Sequence, residues 1–251
     1  MVNALEILEG FNTIGLDEMD AVKLLDRLDF KFAFHQNYLP GIVEKLKTDY
    51  RVLSLNGRRF CRYDTRYFDT PDLKMYIQHH NGKLNRYKVR FREYVDSGIR
   101  FFEVKFKTNK ERTIKDRILL DDREFIIRGE SEKLLFEKTG YRADMLKESI
   151  QVGYSRITMV QNNLRERLTI DIGLRFNTGG MEKLFPELVI AEVKQDRASR
   201  SRFTSIMREY FIQEFAVSKY CLGIASLKHE VKINNIKPKL LYVKKLCDSN
   251  P

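Results

Sequence analysis

The chain has 251 residues, of which 43% are hydrophobic, so it is long and apolar enough for a packed core and is not expected to be disordered. Lys and Arg total 46 against 35 for Asp and Glu, a formal net charge of +11 that favours an anionic partner. Three scattered cysteines form no zinc-type or CxxC spacing and indicate a reducing compartment. Without a signal-peptide pattern or a window of 18 apolar residues, we expect a cytoplasmic protein with no membrane span.

The predicted elements follow one another without an internal repeat or a linker. Helices are predicted at residues 16–25, 38–49, 72–80, 131–147, 198–215 and 219–227. Strands are predicted at residues 26–35, 50–70, 85–95, 99–108, 112–120, 149–160, 164–176 and 188–194. We therefore expect one domain over residues 1–251, with a core at 15–228 and a basic tail at 229–251, which by default is a solvated end.

Several predicted strands carry a charged residue at every second position. Residues 86–92 place four cations on one face and three apolar residues on the other, and residues 103–107 and 165–171 repeat the pattern. The groups of equal parity are Arg27/Asp29/Lys31, Arg86/Lys88/Arg90/Arg92, Glu103/Lys105/Lys107, Arg165/Arg167/Asp171 and Glu192/Lys194. One such strand is usually a solvated sheet face. Repetition of crowded cations in one domain indicates a sheet curled around a lumen that binds a polyanion.

The carboxylates on the charged faces, and the absence of several known site motifs from the sequence, limit the chemistry that this chain can carry out. The few carboxylates on the charged faces suit a divalent metal that bridges phosphate oxygens. The four histidines show no metal-ligand spacing, and Phe30, Phe32, Phe34 and Phe101 are expected in the core. No Ser-His-Asp order, Walker A loop or GxGxxG motif is present in the sequence. A nucleotide would therefore be held by cationic side chains and not by a glycine-rich loop.

Seven short motifs occur along the chain in a fixed order. They are Arg27-x-Asp29-x-Lys31-Phe32, Tyr67-Phe68-Asp69-Thr70, Lys88-x-Arg90-x-Arg92, Glu103-x-Lys105-x-Lys107, Tyr154-x-Arg156, Glu192-x-Lys194 and Ser218-Lys219-Tyr220. Together they resemble the VTC (vacuolar transporter chaperone) catalytic domain in its bacterial stand-alone form, within the triphosphate tunnel metalloenzyme group. The first motif reads RxDxK where the hydrolytic CYTH branch has ExExK, which argues against a thiamine-triphosphatase or an adenylate cyclase.

The resemblance implies an α+β fold, an antiparallel β-tunnel that forms a closed barrel of about eight strands, with a charged lumen and helices packed outside. The eukaryotic members of the family polymerise inorganic polyphosphate from ATP with a divalent metal, typically Mn²⁺, and the resemblance implies the same for this chain, with Mg²⁺ as the alternative. By position, the implied catalytic, phosphate-holding residues are Lys31, Arg90, Arg92, Lys105, Arg156 and Lys219. The implied substrate-binding neighbours are Lys88, Lys107, Lys115, Tyr154, Lys194 and Ser218, and the implied metal ligands are Glu192 and Glu103.

Three functions remain open on the sequence. The first is a polyphosphate polymerase in which the chain terminus attacks the γ-phosphoryl group of ATP and ADP leaves. The second is an inorganic triphosphatase or tripolyphosphatase, in which water replaces the chain. The third is a non-catalytic module for polyphosphate or RNA, with Tyr63, Tyr67 and Tyr87 as stacking surfaces. Nucleic acid is not the expected partner, because no RNP-like motif is present and Glu103 and Glu192 would repel it. The oligomeric state is left open.

Overall fold

A computed structural model describes residues 6–20, 27–110, 112–121, 124–197, 200–228 and 230–249. Its helices are α1 (Leu16–Asp20), α2 (Leu39–Leu46), α3 (Lys74–His80), α4 (Glu130–Thr139), α5 (Arg202–Glu209), α6 (Lys219–Leu227) and α7 (Lys237–Asp248). Its strands are β1 (Thr13–Ile14), β2 (Arg27–His35), β3 (Tyr50–Leu53), β4 (Cys61–Asp69), β5 (Arg86–Tyr94), β6 (Ile99–Lys107), β7 (Thr113–Leu120), β8 (Lys147–Gln161), β9 (Glu166–Thr178), β10 (Met181–Phe185) and β11 (Leu188–Asp196).

The strands form one large sheet with the order β2-β11-β9-β8-β4-β5-β6-β7. Neighbours along this path are antiparallel. Outside the path, β10 pairs with β9 and β3 pairs with β8, both in antiparallel orientation, and β1 pairs with β3 in parallel. The predicted α+β class and antiparallel sheet are confirmed, although the sheet has eleven strands in the described residues, eight of them along this path. The predicted closed barrel is not, because within the described ranges no hydrogen-bonded pairing joins the end strands β2 and β7.

The outer edge of β2 is occupied by another part of the chain. The backbone N–H of Phe215 donates to the carbonyl of Lys31 at 2.7 Å, and Phe32 forms an isolated antiparallel bridge with Glu214. Backbone groups at this edge of the sheet are thus satisfied by residues 214–215 and not by β7. At this edge, β2 therefore pairs with the loop that leads into α6, and not with β7 as a closed barrel would require.

Both faces of the sheet contribute to the core because the strands alternate. Along β11, Val189 and Val193 pack on the outer face with residues of α2 and α5. Leu188 and Ile190 pack on the inner face with residues of α6 and α7. Farther along this inner face, Glu192 takes the place of an apolar residue. Over β8, β9 and β11, helix α6 therefore fills one end of the concave face with apolar contacts, and on these three strands the charged residues begin where its cover ends.

A β-bulge in β9 adjusts the alternation on this face. The register between β8 and β9 shifts between Gly153 and Ser155, and Gly173 of β9 has a φ of +62°, which glycine adopts without strain. Asp171, before the bulge, and Leu174, after it, consequently both lie on the concave side, although their positions differ in parity. The bulge marks the boundary between the charged and the apolar parts of β9.

Two predicted helices are longer than those observed. The helix predicted at 131–147 ends at Thr139, because Gly140 takes the left-handed conformation (φ +73°) and its N–H bonds to the carbonyl of Phe136. The helix predicted at 198–215 begins at Arg202, where Ser201 Oγ accepts from the Thr204 N–H at 2.9 Å, and ends at Glu209. Residues 198–199, and residues 21–26 around the end of the first predicted helix, lie outside the described residues. Strands β1 and β10 were not predicted.

The C-terminal segment is not a solvated end. Helix α7 packs against β2 and β11, and its Val243 is 1% exposed. The hydroxyl of Tyr242 donates to the carbonyl of Ala33 at 3.3 Å, and Asn235 bonds to His80 through its backbone N–H. None of the helices in the described part of the chain has the length and apolar character needed to cross a membrane.

Candidate functional site

The concave face of the sheet takes its charge from the alternation along β5. Val89 and Phe91 are fully buried on the outer face, and the cations Lys88, Arg90 and Arg92 project from the opposite face. The predicted parity of this strand is therefore confirmed.

Antiparallel register places three lysines side by side across three strands. Lys105 of β6 lies directly opposite Lys88 of β5 on one side and opposite Lys115 of β7 on the other. Like charges in directly opposed positions repel, because such side chains start about 5 Å apart. Repulsion by Arg90, burial and repulsion by Arg92 together lower the pKa of Lys105 to about 5, and burial is the main cause that lowers the pKa of Lys88 and of Lys115. Binding of an anion at this lysine row would relieve the repulsion.

A buried ion pair stands beside the lysine row. Glu103 is 0% exposed and accepts from Arg90 Nε at 2.6 Å, and Lys115 pairs with its other oxygen. Burial opposes the charge on Glu103, but Arg90, Arg92 and Lys115 hold its pKa well below the usual range. Arg90 Nη1 also donates to the Tyr67 hydroxyl at 3.1 Å. Burial disfavours the phenolate, yet Arg90 and its neighbouring cations outweigh burial and lower the pKa of Tyr67.

A second cluster joins β8, β9 and α6. Arg156 of β8 makes a bidentate pair with Asp171 of β9, at 2.6 and 2.8 Å, and Lys219 Nζ lies 2.5 Å from the same carboxylate. Burial opposes the charge, but Arg156 and Lys219 hold the pKa of Asp171 well below the usual range. The Tyr154 ring lies 5.3 Å from Arg156 Cζ and 5.0 Å from Lys219 Nζ, and it stacks on Tyr63 at 5.1 Å. The two tyrosines form an aromatic floor under these cations.

A third cluster lies on β2 and β11. Lys31 is the register partner of Glu192, with its Nζ 3.4 Å from Oε1, and Lys194 pairs with the same oxygen. Burial opposes ionisation of Glu192, but Lys194, Lys31 and Arg156 lower its pKa to about 2. The influence of Arg156 shows that the second and third clusters share one electrostatic environment.

The N-terminal end of α6 lies between the lysine row and the second cluster. Ser218 caps this helix by accepting from the Cys221 N–H, and its Oγ also accepts from Lys88 Nζ at 2.9 Å. The next residue, Lys219, reaches Asp171. The predicted Ser-Lys-Tyr motif thus connects the lysine row with the second cluster.

Residues at the two ends of β6 complete the concave face. Lys107 is half-buried and lies directly opposite Arg86. Phe101, expected in the core, is instead half-buried opposite Arg92, with Arg117 Cζ 4.6 Å from its ring. The expectation for Phe101 is wrong because its parity is that of Glu103. By contrast, Phe32 and Phe34 are buried in the outer core as expected.

The structure brings the predicted site residues together on the concave face and the adjoining end of α6. The set comprises Lys31, Lys88, Arg90, Arg92, Glu103, Lys105, Lys107, Lys115, Tyr154, Arg156, Glu192, Lys194, Ser218 and Lys219. Tyr63 and Tyr67 lie among these cations, whereas Tyr87 stacks on Phe106 on the opposite face.

The carboxylates differ in their fitness for a divalent metal. Among the described residues no group of three or more His, Cys, Asp or Glu side chains could hold an ion alone. Mg²⁺-like ions also bind through one carboxylate together with substrate phosphates and water. Glu192, whose side chain is 27% exposed, fits this arrangement. Glu103 fits it poorly, because it is fully buried between Arg90 and Lys115 and acts as their structural counter-ion.

Two participants were not assigned by the sequence. The alternation of β9 predicted only that Asp171 shares a face with Arg165 and Arg167. Its position between Arg156 and Lys219 depends on the β8–β9 register and on the docking of α6. Tyr67 belongs to one of the seven motifs and was considered as a stacking surface. Its hydrogen bond with Arg90 follows from the β4–β5 register, in which the two residues are directly opposite. The alternation of the strand predicted the face on which Asp171 lies. No local sequence signal predicts that Asp171 pairs with Arg156 and Lys219, or that Tyr67 bonds to Arg90.

Comparison with known proteins shows which folds and which family this chain is similar to. The chain overlays a candidate adenylate cyclase from Bacillus halodurans with a TM-score of 0.50 and 16% identity, covering 77% of this chain and 94% of that chain. It overlays a candidate adenylyl cyclase from Hippeastrum, described as having a dominant triphosphatase activity, with a TM-score of 0.52 and 10% identity, covering 81% and 98%. At these identities the likeness shows a shared fold. No curated protein matches the sequence. The VTC domain family model matches residues 26–228, and the chain therefore belongs to the VTC domain family.

Proposed function

We propose that this protein is a polyphosphate polymerase, an enzyme that transfers the γ-phosphoryl group of ATP to a growing inorganic polyphosphate chain. The observation that carries the proposal is the lysine row, which is flanked by Arg90 and Arg92 and joined to Lys219 through Ser218. Such a crowded set of cations is stabilised by a ligand that carries several negative charges close together. Membership of the VTC domain family supports the same substrate class.

The length of the charged face supports a polymer in preference to a lone triphosphate. The cations of β5 run from Arg86 to Arg92, a span of about 20 Å at the rise of a β-strand. This span exceeds three linked phosphoryl groups. A longer polyanion would contact all the cations of β5 from Arg86 to Arg92.

The reaction needs little covalent chemistry from the protein. An oxygen of the terminal phosphate of the chain attacks the γ-phosphorus of ATP in line, a new P–O bond forms, and the bond to the β-phosphate oxygen breaks, so that ADP leaves with the electron pair. The attacking oxygen is already anionic and requires no general base. Lys105, Arg92 and Arg156 would hold and neutralise the phosphoryl oxygens, and positioning with charge stabilisation accounts for catalysis.

A divalent metal, Mn²⁺ or Mg²⁺, would add positive charge between phosphate oxygens when bound. Glu192 is the residue that would hold it, and Lys31 and Lys194 would orient that carboxylate until substrate arrives.

Hydrolysis in the same lumen is the second candidate. The Hippeastrum neighbour, which shares the fold, is described as a triphosphatase. The same cations would stabilise attack by water on tripolyphosphate.

Incubation of the purified protein with ATP and Mn²⁺, followed by electrophoresis with a polyphosphate stain, tests the proposal. We expect ADP and a phosphate ladder that a polyphosphatase removes. Orthophosphate without a ladder, from ATP or from tripolyphosphate, would replace the polymerase with the hydrolase. Absence of turnover together with tight tripolyphosphate binding would leave a binding module. The variant Lys105→Met is the control for activity from a contaminant, because it should lose the ladder.

A further inference from the structure

Cations continue beyond the lysine row to Arg86, at the beginning of β5, the strand that α3 contacts. The charged groups that act on the His79 imidazole of α3 are Lys88 and Arg86 of β5 and Lys239 of α7, all of them cations. Burial and these three charges lower the pKa of His79 to about 2, so the ring is neutral. His79 Nδ1 is buried without a hydrogen-bond partner in the structure. We call Arg86, Lys88 and Lys239 around His79 the distal cation group.

Lys239 is held in place by contacts of its own helix. Its Nζ donates to the carbonyl of Ala216 at 2.6 Å, in the loop that precedes Ser218. The ring of Tyr242, one turn along α7, stacks on Phe215 of the same loop at 4.3 Å. The charge of Lys239 is therefore fixed beside the N-terminal end of α6. The match to the VTC domain ends at residue 228, so this helix lies beyond the matched part of the chain.

Hydrogen bonds bring two members of the group to one loop, because Lys239 Nζ donates to the Ala216 carbonyl and Lys88 Nζ donates to Ser218 Oγ, two residues farther along the chain. The same three cations, Lys88, Arg86 and Lys239, act on the Cys221 thiol of α6, although burial is the larger effect and raises its pKa. Arg86 also lies directly opposite Lys107 in the β5–β6 register. Each added cation raises the repulsion at this end of the lumen, and a bound polyanion would offset it.

We infer that the distal cation group is a second anion-binding site, contiguous with the lumen, that holds the part of a linear polyphosphate chain extending past the lysine row. The inference rests on the proposed function, which supplies the polyphosphate. Lys88 belongs to both the lysine row and the distal cation group, so the two groups adjoin each other. A tripolyphosphate held at Arg92 ends before Arg86, because about 20 Å of β5 separate these two residues.

Binding measurements with two ligand lengths test the inference. Lys239→Gln and Arg86→Gln keep a polar side chain and remove one charge each. Calorimetry should show that either variant weakens binding of long-chain polyphosphate about two- to fivefold, the scale of one partly screened ion pair, and leaves tripolyphosphate affinity unchanged. The matched control is Lys244→Gln on the same helix, an exposed lysine about 140° around it from Lys239. It should leave both affinities unchanged.

Several outcomes would overturn the inference. They are an equal loss for both ligands, no loss for either, or a loss for long chains in Lys244→Gln as large as that in Lys239→Gln. Thermal unfolding of each variant checks that it folds, and Arg86→Gln gives an independent result if Lys239→Gln does not. A wild-type protein that makes no polyphosphate from ATP but shows the length-dependent loss would refute the proposed reaction and support the distal site.

Discussion

Replacement of Lys105 by methionine should stabilise the empty protein. Lys105 stands between two lysines and beside two arginines, and these surroundings lower its pKa from 10.5 to about 5. Between these pH values the unfolded chain carries a proton on this lysine that the folded chain does not. The folded state is therefore penalised, and the penalty shrinks as the pH rises towards 10.5. Methionine keeps most of the apolar stem and cannot take up the proton.

The magnitude follows from the same linkage. Each pH unit is worth about 1.4 kcal/mol, so the three units between about pH 7.5 and the ordinary lysine pKa give about 4 kcal/mol. Water and counter-ions around these side chains screen part of the repulsion. We expect Lys105→Met to raise the free energy of unfolding by about 2 kcal/mol at low salt, and by less in about 1 M salt.

Urea denaturation at low and high salt measures this change. Lys110→Met is the control, because Lys110 is an exposed lysine in the next loop and should change little. Calorimetry in buffers of different ionisation enthalpy should show that tripolyphosphate binding takes up about one proton fewer in Lys105→Met than in the wild type. A variant that is less stable than the wild type at low salt, or one whose gain equals that of Lys110→Met, would refute the reasoning.

Two more predictions concern the carboxylates. Arg90→Ala should lower the free energy of unfolding by about 3–5 kcal/mol, because it leaves the buried Glu103 poorly compensated, and adding Glu103→Gln should recover most of that loss in urea denaturation. Simple additivity of the two changes would contradict the pairing. Glu192→Gln should abolish metal-dependent turnover and keep tripolyphosphate affinity, since Lys31 and Lys194 stay charged. Wild-type turnover in this variant would exclude Glu192 as the metal ligand.

Elements whose signals are local were predicted well. Helix α6 runs over Lys219–Leu227, as predicted, with a serine at its N-cap. Strands predicted at 85–95 and 99–108 are observed as β5 and β6, and Gly98 in the turn between them has a positive φ of 68°. The charged face of β5 follows from the two-residue period of a strand, which depends on no other part of the chain.

Features that depend on distant parts of the chain were missed. The sequence pattern cannot show whether β2 meets β7, because residues 214–215 compete for the same edge of β2. The bulge at Gly173 is set by pairing with β8, and no periodicity marks it. The basic tail was predicted as a solvated end, yet its helix α7, which carries the buried Val243, packs against strands more than 40 residues earlier in the chain.

The sequence by itself determined which face of β5, β6 and β11 is charged and, through its ordered motifs, the family to which the chain belongs. The tertiary structure decided how those charges are paired. The register of β5, β6 and β7 sets three lysines side by side and leaves Glu103 to Arg90 and Lys115, while the docking of α6 gives Asp171 to both Arg156 and Lys219. Strand period is a property of neighbouring residues, whereas ion pairing is a property of register between strands, and register is fixed only when the whole sheet assembles.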